Sequence, residues 1–275
     1  MLYVEAQAVR IPALGFGTFR LDGSTARRMV AYALELGYRH IDTAQMYGNE
    51  AEVGEAIAAS GVPREQIWLT TKIWPDHFRD GALQRAAEVS VRRLGTVPDL
   101  LLLHWPNPSV PRAETMRALN DARRRGLTRH IGISNSPVAL IRESVAASEA
   151  PLLTDQVEYH PYLSQRPVLE EVRAQGMVLT AYSPLARGDL FADPILRRIG
   201  EPHGKSPGQV ALRWLLQQDG VAAIPRSSRE AHAKANFEIF DFSLSEAEMA
   251  EIAALAGPGG RRISPGGIAP RWDPD

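Results

Sequence analysis

Short apolar runs alternate with amphipathic stretches along most of the chain. The run Leu100-Leu101-Leu102-Leu103 is apolar at every position, which is typical of a strand buried on both faces of a parallel sheet. Seven other short runs have the β-branched and apolar character of strands. We therefore predict eight strands, at residues 14–18, 40–44, 67–73, 100–105, 130–135, 152–158, 178–183 and 222–225.

The stretches between these strands have the periodicity of amphipathic helices. Ser24 is a candidate N-cap, Ser206 is followed by a first-turn proline, and Ser245 with Glu248 forms a capping-box pattern. These signals predict helices at residues 24–36, 50–60, 80–94, 112–125, 137–148, 165–175, 206–218 and 245–256.

Eight strand–helix repeats predict an α/β fold, a single (β/α)8 TIM barrel that spans residues 1–275 as one domain. An open doubly wound sheet is the alternative, but it needs a G-x-G-x-x-G turn after the first strand. Gly15-Phe16-Gly17 is followed by Thr18-Phe19-Arg20, which breaks that pattern. We expect a short N-terminal hairpin at residues 3–11, and a Gly/Pro-rich C-terminal tail from residue 257 over the barrel mouth.

Composition narrows the classes of function. The chain has 31 basic and 32 acidic residues, so it lacks the basic excess that is typical of nucleic-acid binders. No apolar run approaches the roughly 18 residues that a membrane span needs. Cysteine is absent, which excludes disulfides and thiolate nucleophiles and fits a reducing compartment. We expect a cytoplasmic monomer that acts on a small molecule, with no nucleic acid, membrane or metal involved.

Four titratable residues of complementary type follow successive predicted strands. Asp42 and Tyr47 come after the second strand, Lys72 ends the third, and His104 ends the fourth. Each alone has an ordinary structural explanation, such as a loop tyrosine or a buried core histidine. Because active sites of barrels lie at the carboxyl ends of the strands, we expect the four to share one mouth.

This set has the chemistry of carbonyl reduction. A free tyrosine has a pKa of about 10, and an adjacent ammonium such as Lys72 lowers it. Asp42 would pair with Lys72 and raise the pKa of that ammonium. His104 would orient the carbonyl, and a nicotinamide would supply the hydride, because no side chain can.

Eight segments in order along the chain resemble the aldo-keto reductase family. The resemblance implies a barrel without a Rossmann domain or a metal, and a catalytic tetrad of Asp42, Tyr47, Lys72 and His104 with Tyr47 as general acid. The segments are GFGTF at 15–19, GYRHIDTAQMYGNE at 37–50, TTKIW at 70–74, LLHWP at 102–106, IGISN at 131–135, QVEYHPY at 156–162, AYSPL at 181–185 and IPRS at 224–227.

The same resemblance implies where an NADPH cofactor lies. Ser134, Asn135 and Gln156 match positions that bind the carboxamide, and Tyr182 matches the ring that stacks on the nicotinamide. The loop with Ser183, Leu185 and Asp189 matches the pyrophosphate-binding stretch. Four further residues match positions at the adenosine end. In full, the implied cofactor-binding residues are Gly17, Thr18, Asp42, Ser134, Asn135, Gln156, Tyr182, Ser183, Leu185, Asp189, Arg226, Ser227, His232 and Asn236.

Three departures from the family pattern lie at the adenosine end. The family usually has lysine at the position of Arg226 and arginine at that of His232, and both commonly hold the 2′-phosphate. Arg226 keeps the charge, whereas His232 is largely neutral at pH 7. A frequent glutamate is replaced by Ala235. We expect NADPH binding with weakened discrimination against NADH, so that NADH is accepted as well.

The substrate pocket is expected to have aromatic walls. Phe19, Trp74 and Trp105 match wall positions beside His104, and the connection at 106–111 is short, which predicts an open cleft for small or polar carbonyls. The tail resembles that of bacterial family members described as 2,5-diketo-D-gluconate reductases and methylglyoxal reductases. Arg271 or Trp272 could contact substrate, although a surface tail fits equally well.

Two other functions are compatible with a barrel of this kind. A class I aldolase would form a Schiff base through Lys72, which needs a depressed lysine pKa. A non-catalytic cofactor-binding subunit, like the barrels that attach to potassium channels, also resembles the family. The intact tetrad and the near-neutral charge favour the reductase over both.

Overall fold

The computed structural model describes residues 2–274, beginning with an antiparallel hairpin. β1 (Tyr3–Ala6) pairs with β2 (Val9–Pro12), which confirms the predicted hairpin. Gln7 and Ala8 form its two-residue turn with φ of 50° and 63°. Positive φ at both positions is what the right-handed twist of a tight hairpin requires.

Eight parallel strands follow in chain order, each paired with the next. All eight predicted strands are present, although most are shorter than predicted by one or more residues. The strands are β3 (Phe16–Gly17), β4 (His40–Asp42), β5 (Trp68–Ile73), β6 (Leu100–Leu103), β7 (His130–Ser134), β8 (Leu152–Glu158), β9 (Val178–Tyr182) and β10 (Val221–Ala223).

Hydrogen bonds between the first and last strands close the sheet. The Gly15 amide donates to Ala223 O at 2.8 Å, and the Gly17 amide donates to Pro225 O at 3.0 Å. Gly17 must be this small, because a Cβ there would lie 2.9 Å from the Ile224 carbonyl oxygen. The (β/α)8 prediction is therefore confirmed.

Ten α-helices surround the sheet in residues 2–274. The capping boxes at Ser206 and Ser245 are both present, but the Ser24 cap was wrong: Asp22 is the N-cap residue and Ser24 lies inside the first turn. The helices are α1 (Gly23–Leu36), α2 (Glu50–Ala59), α3 (Ala82–Leu94), α4 (Arg112–Arg124), α5 (Val138–Ala147), α6 (Arg166–Ala174), α7 (Pro194–Gly200), α8 (Pro207–Leu216), α9 (Glu230–Phe237) and α10 (Glu246–Ala253).

Two of these helices, α7 and α9, were not predicted. Asp193 begins α7 by accepting hydrogen bonds from the Ile195 and Leu196 amides, but the helix has only seven residues. In α9 only Ala233 and Asn236 are buried, so it lacks a broad apolar face. A hydrophobic pattern cannot detect helices that bury so little apolar surface.

The two ends of the barrel are covered differently. Ala6 and Ile11 of the hairpin pack against Trp68, Leu100 and Val178 at the amino ends of strands, which makes that end apolar and closed. The carboxyl ends of the strands are therefore the end of the barrel at which a polar active site can lie. In residues 2–274, no helix has the length and apolar character needed to cross a membrane.

The C-terminal tail lies at the carboxyl ends of the strands, as expected. The amides of Arg262 and Ile263 donate to Glu158 at the end of β8, at 2.8 and 2.9 Å. Further along, the Trp272 ring lies 6.2 Å from that of Trp105, which follows β6. The tail thus borders the mouth on the β6 and β8 sides.

Candidate active site

Parallel strands bring three of the four predicted catalytic residues to the same end of the barrel. Asp42 is the last residue of β4, Lys72 lies in β5, and His104 directly follows β6. Tyr47 lies in a 3-10 turn, Gln45–Tyr47, that follows β4. Asp42 and Lys72 are each about 1% exposed, whereas Tyr47 is half-buried at the edge of the cleft.

Lys72 is the centre of the polar cluster. Its ammonium donates to Asp42 Oδ1 at 2.5 Å, to the Thr43 carbonyl at 2.9 Å and to the Tyr47 hydroxyl at 3.4 Å. Three acceptors hold one buried cation and set its position relative to the phenol. The structure therefore brings Asp42, Tyr47 and Lys72 together at one end of the barrel, as predicted.

Burial dominates the ionisation of this cluster, contrary to one sequence-based expectation. We expected Asp42 to raise the pKa of Lys72, but desolvation outweighs that effect and the pKa is lowered. The pKa of Tyr47 is raised well above its usual value, first by burial and then by the Asp42 charge. At neutral pH Tyr47 therefore holds its proton.

His104 faces the phenol across the cleft. Its ring centroid is 5.7 Å from that of Tyr47 and 5.3 Å from that of Trp74, both edge-on. Burial, and then the Lys72 charge, lower the pKa of His104 well below its usual value, so the imidazole is neutral. Its Nδ1 is buried and has no hydrogen-bond partner among residues 2–274.

Gln156 has a contact that the sequence did not reveal. Its side-chain amide donates to Asp42 Oδ2 at 2.7 Å, across the barrel from β8 to β4. With Lys72 on Oδ1, both carboxylate oxygens of Asp42 are bound. Gln156 was expected only among cofactor-binding residues, and no sequence pattern indicated its contact with Asp42.

Asn135 connects several residues of the predicted nicotinamide site. It has a left-handed backbone, with φ of 58°. Its side-chain nitrogen donates to His104 O at 2.9 Å and to Ser134 Oγ at 3.1 Å, and its oxygen accepts from the Tyr182 hydroxyl at 2.7 Å. Both amide hydrogens are thus engaged, and the Tyr182 ring is fixed by its hydroxyl.

The loop after β9 has an unusual backbone. Ser183, Ala186 and Arg187 all have positive φ, between 46° and 58°. A left-handed backbone costs a non-glycine residue roughly 1–2 kcal/mol, so tertiary contacts must stabilise this loop. Leu185 packs on the core, and Asp189 pairs with Arg262 of the tail at 2.8 Å.

The predicted adenosine-end residues are more exposed. Arg226 donates to the carbonyls of Phe19 and Arg20, at 3.0 and 3.1 Å. Burial, and then the Arg20 charge, lower the pKa of Arg226. His232 is exposed on α9, whereas Asn236 is buried. Arg20 is a neighbour that sequence reasoning missed.

The remaining predicted residues lie where the mouth begins. Thr18 donates to the Asp42 carbonyl through both its amide and its hydroxyl, at 3.0 Å. Ser227 Oγ accepts from the Arg229 amide and donates to its carbonyl, which fixes the turn before α9. The Phe19 ring lies 5.0 Å from that of Tyr47.

Comparisons with known proteins identify the family of this chain. The model of the Aldo/keto reductase family matches residues 13–256. A methylglyoxal reductase DkgB from Salmonella typhi is 43% identical over 267 residues, covering 96% of this chain and 99% of that protein. An aldo-keto reductase from Mycolicibacterium smegmatis is 40% identical and covers 93% of this chain and 92% of that protein.

Solved structures extend the likeness to the whole barrel. A crystal structure provisionally designated 2,5-diketo-D-gluconic acid reductase B has a TM-score of 0.97 and 52% identity, over 99% of this chain and 97% of that one. An aldo-keto reductase from Bombyx mori in complex with NADP has a TM-score of 0.87 and 32% identity, over 95% and 94% of the two chains.

Proposed function

Because this chain belongs to the aldo/keto reductase family and is an oxidoreductase, we propose that it reduces small carbonyl compounds with NADPH. The single observation that carries the proposal is the buried Lys72 ammonium, bound at once to Asp42 and to the Tyr47 hydroxyl. That contact places a protonated phenol beside a cation at the edge of an aromatic cleft.

The residues at the mouth fit a nicotinamide dinucleotide. Tyr182 presents a ring fixed through Asn135, with Ser134 and Gln156 as neighbouring polar groups for a carboxamide. Ser183, Leu185 and Asp189 would hold the pyrophosphate. Arg226, Ser227, His232 and Asn236 would hold the adenosine end. When bound, the cofactor supplies a hydride to the carbonyl carbon.

Tyr47 completes the reduction by giving its hydroxyl proton to the carbonyl oxygen. The carbon gains the hydride and the oxygen gains the proton, so the product is an alcohol. As the proton leaves, negative charge grows on the phenol oxygen, where the Lys72 ammonium 3.4 Å away stabilises it. Asp42 and Gln156 keep that ammonium in place, and neutral His104 donates a hydrogen bond that orients the carbonyl.

Arginine charge at the adenosine end supports NADPH over NADH as the cofactor. Arg226 retains a guanidinium, which binds phosphate through paired hydrogen bonds. Arg20 adds a second positive charge beside it. His232 weakens the site, since an exposed imidazole stands where the family usually has an arginine. We therefore expect NADPH to bind better than NADH by less than about a hundredfold.

The substrate would be a small or polar aldehyde or ketone. Phe19, Trp74 and Trp105 provide apolar walls near His104, and such walls accept many carbonyl compounds. The names of similar proteins point to methylglyoxal and 2,5-diketo-D-gluconate as compounds to try first. We propose these two as candidate substrates.

The test is cofactor oxidation followed at about 340 nm, with each candidate substrate and with NADPH and NADH separately. Wild type should consume NADPH, and Tyr47→Phe should lose at least about a hundredfold of that rate while still binding NADPH. Tyr3→Phe, an exposed tyrosine of the hairpin, is the matched control and should keep full activity.

Two results would favour other functions. NADPH binding without turnover of methylglyoxal, 2,5-diketo-D-gluconate or simple aromatic aldehydes would favour a non-catalytic binding subunit. Borohydride trapping of Lys72 with a carbonyl compound in the absence of cofactor would favour a Schiff-base aldolase.

A further inference from the structure

The C-terminal tail has little of the apolar burial that would hold it in place by packing. Every residue from 261 to 274 is half-buried or exposed. A cavity of about 400 Å³ is lined on one side by the tail at residues 267–270 and on the other by the loop at 106–111. Segments that bury few apolar contacts open easily. Specific polar contacts must therefore fix the path of this tail.

Two carboxylates anchor the tail near its two ends. Near its start, Glu158 of β8 accepts the amides of Arg262 and Ile263, at 2.8 and 2.9 Å. Near its end, Asp273 reaches back to the barrel, and its Oδ2 accepts the Val138 amide at 2.9 Å. The first contact fixes where the tail leaves the end of β8, and the second fixes where it meets α5.

The Asp273 contact satisfies a requirement of helix α5. Pro137 is the N-cap residue of α5 and has no side-chain oxygen that could bind the first amides. The amino end of a helix also attracts negative charge. Arg142 of the same helix adds to this attraction, since its pKa is raised mainly by hydrogen bonding to Glu171 and in smaller part by the Asp273 charge. Asp273 therefore supplies a cap that the N-cap residue itself cannot provide.

The residue before this anchor contacts the aromatic wall of the cleft. Trp272 directly precedes Asp273, and its ring packs edge-on against that of Trp105, with 6.2 Å between the centroids. Trp105 follows His104, which would orient the carbonyl. The Trp272 indole nitrogen donates to Ser264 Oγ at 3.2 Å, but this contact lies within the tail and cannot fix the ring relative to the barrel. Asp273 provides a hydrogen bond that can.

We propose that Asp273 is a positioning residue that holds Trp272 against Trp105 and thereby completes the outer wall of the substrate cleft. The inference rests on the proposed function and adds to it a residue that sets the affinity for aromatic carbonyl compounds. The amide that Asp273 binds lies three residues after Asn135, in the turn that fixes the proposed nicotinamide site. Because Asp273 positions a wall and not a reacting group, its effect should fall on KM rather than on kcat.

The kinetic test compares benzaldehyde, whose ring would reach this wall, with methylglyoxal, which is smaller and should depend on it less. Asp273→Ala should raise KM for benzaldehyde by about fivefold, the effect of losing a helix cap, and KM for methylglyoxal by less than about twofold. It should leave kcat for both within about twofold. Asp273→Asn keeps an acceptor oxygen and should lie between wild type and Asp273→Ala. Asp219→Ala, at an exposed position before β10 and at the opposite end of the barrel, is the control and should change neither constant.

A cycle of single and double variants tests whether Asp273 acts through Trp272. Trp272→Ala should raise KM for benzaldehyde at least as much as Asp273→Ala does. The double variant should then match Trp272→Ala alone, because the anchor has no ring left to position. Additive effects of the two substitutions, or an unchanged KM in Asp273→Ala, would overturn the inference.

Limited proteolysis tests the anchor without turnover, and so separates this inference from the proposed function. Trypsin cutting after the exposed Arg271 releases residues 272–275, a loss that mass spectrometry identifies. Each rate is divided by that of a peptide of residues 264–275 with the same substitution, because Asp273 is close to the bond that is cut. Asp273→Ala should then be cut about fivefold faster than wild type, and Asp219→Ala at the wild-type rate.

The outcomes distinguish the two proposals. Faster cutting of Asp273→Ala in a protein that shows no turnover would support the anchor and defeat the reductase proposal. Equal corrected rates for wild type and Asp273→Ala would mean that Asp273 does not hold the tail, and would overturn the inference whatever the turnover.

Discussion

The reaction centre and the adenosine end of this barrel are built in opposite ways. Asp42 and Lys72 are almost fully buried, and each has several partners at hydrogen-bond distance. Arg226 and His232 are exposed, and the Arg226 side chain donates to two backbone carbonyls. Charges in a buried network act strongly on one another, whereas exposed charges are screened by water and salt. Substitutions in the reaction centre should therefore lower the rate of reduction strongly, whereas substitutions at the adenosine end should change the cofactor preference by smaller factors.

The largest expected effect comes from breaking the buried network at its centre. Lys72→Met should lower kcat by about a hundredfold or more, since the phenol loses the cation that stabilises its charge as the proton leaves. Single-turnover reduction by the NADPH complex measures that step directly. Lys234→Met, at an exposed lysine of α9, is the control.

Folding must be checked in this case, because Asp42 would remain buried without its cation. The double variant Lys72→Met/Asp42→Leu removes both charges and should regain stability in thermal unfolding without regaining activity. Recovery of activity in the double variant would show that Lys72 acts only in folding.

A smaller effect is expected at the adenosine end. Arg226→Ala should weaken NADPH binding by about tenfold and NADH binding by less than about twofold, because the 2′-phosphate is the one part of the cofactor that this guanidinium would contact. Fluorescence titration with each cofactor measures both values. Arg117→Ala, at an exposed position of α4, should leave both unchanged. Equal losses for the two cofactors would place Arg226 elsewhere on the nucleotide.

These two regions also differ in how far the sequence predicted them. The residues of the reaction centre follow strands whose apolar pattern is plain, so the barrel rule places Asp42, Lys72 and His104 together. The contact of Gln156 with Asp42 joins residues 114 positions apart, and it depends on a side-chain conformation that no pattern encodes. The pKa of Lys72 illustrates a further limit. Its direction depends on whether burial, which lowers it, outweighs the Asp42 charge, which raises it, and the extent of burial is known only from the structure.

At the adenosine end the sequence was less informative. Arg20 lies beside Arg226 although about two hundred positions separate them, because the closure of the barrel brings β3 next to β10. Helix α9, which carries His232, escaped prediction because it buries little apolar surface. Regions held by exposed backbone contacts leave few periodic signals, whereas buried strands leave strong ones.

A still smaller effect should follow from restoring charge on α9. His232→Arg should raise the affinity for NADPH relative to NADH by about threefold, since an exposed arginine adds a screened attraction to the 2′-phosphate. The ratio of the two dissociation constants at low salt reports the change, and added salt should reduce it. A ratio that does not change at low salt would mean that His232 lies too far from the phosphate to matter.

The smallest expected effect is none: kcat for reduction should be flat between about pH 6 and about pH 8. Reduction needs the proton on Tyr47, whose pKa is raised, so that proton stays bound throughout this range. It also needs a neutral His104, whose pKa is lowered well below its usual value, so the imidazole gains no proton as pH falls through this range. A histidine with an ordinary pKa would instead titrate within this range.

The fall in kcat at alkaline pH should follow the deprotonation of Lys72 rather than that of Tyr47. Because burial lowers the pKa of Lys72 while it raises that of Tyr47, the ammonium loses its proton first as pH rises, and reduction then slows. Profiles of kcat with saturating NADPH should show this single alkaline limb, and Lys72→Met should lack it. An inflection at a histidine-like pKa in wild type that disappears in His104→Gln would show that the imidazole is exposed to protons and that burial does not control the site.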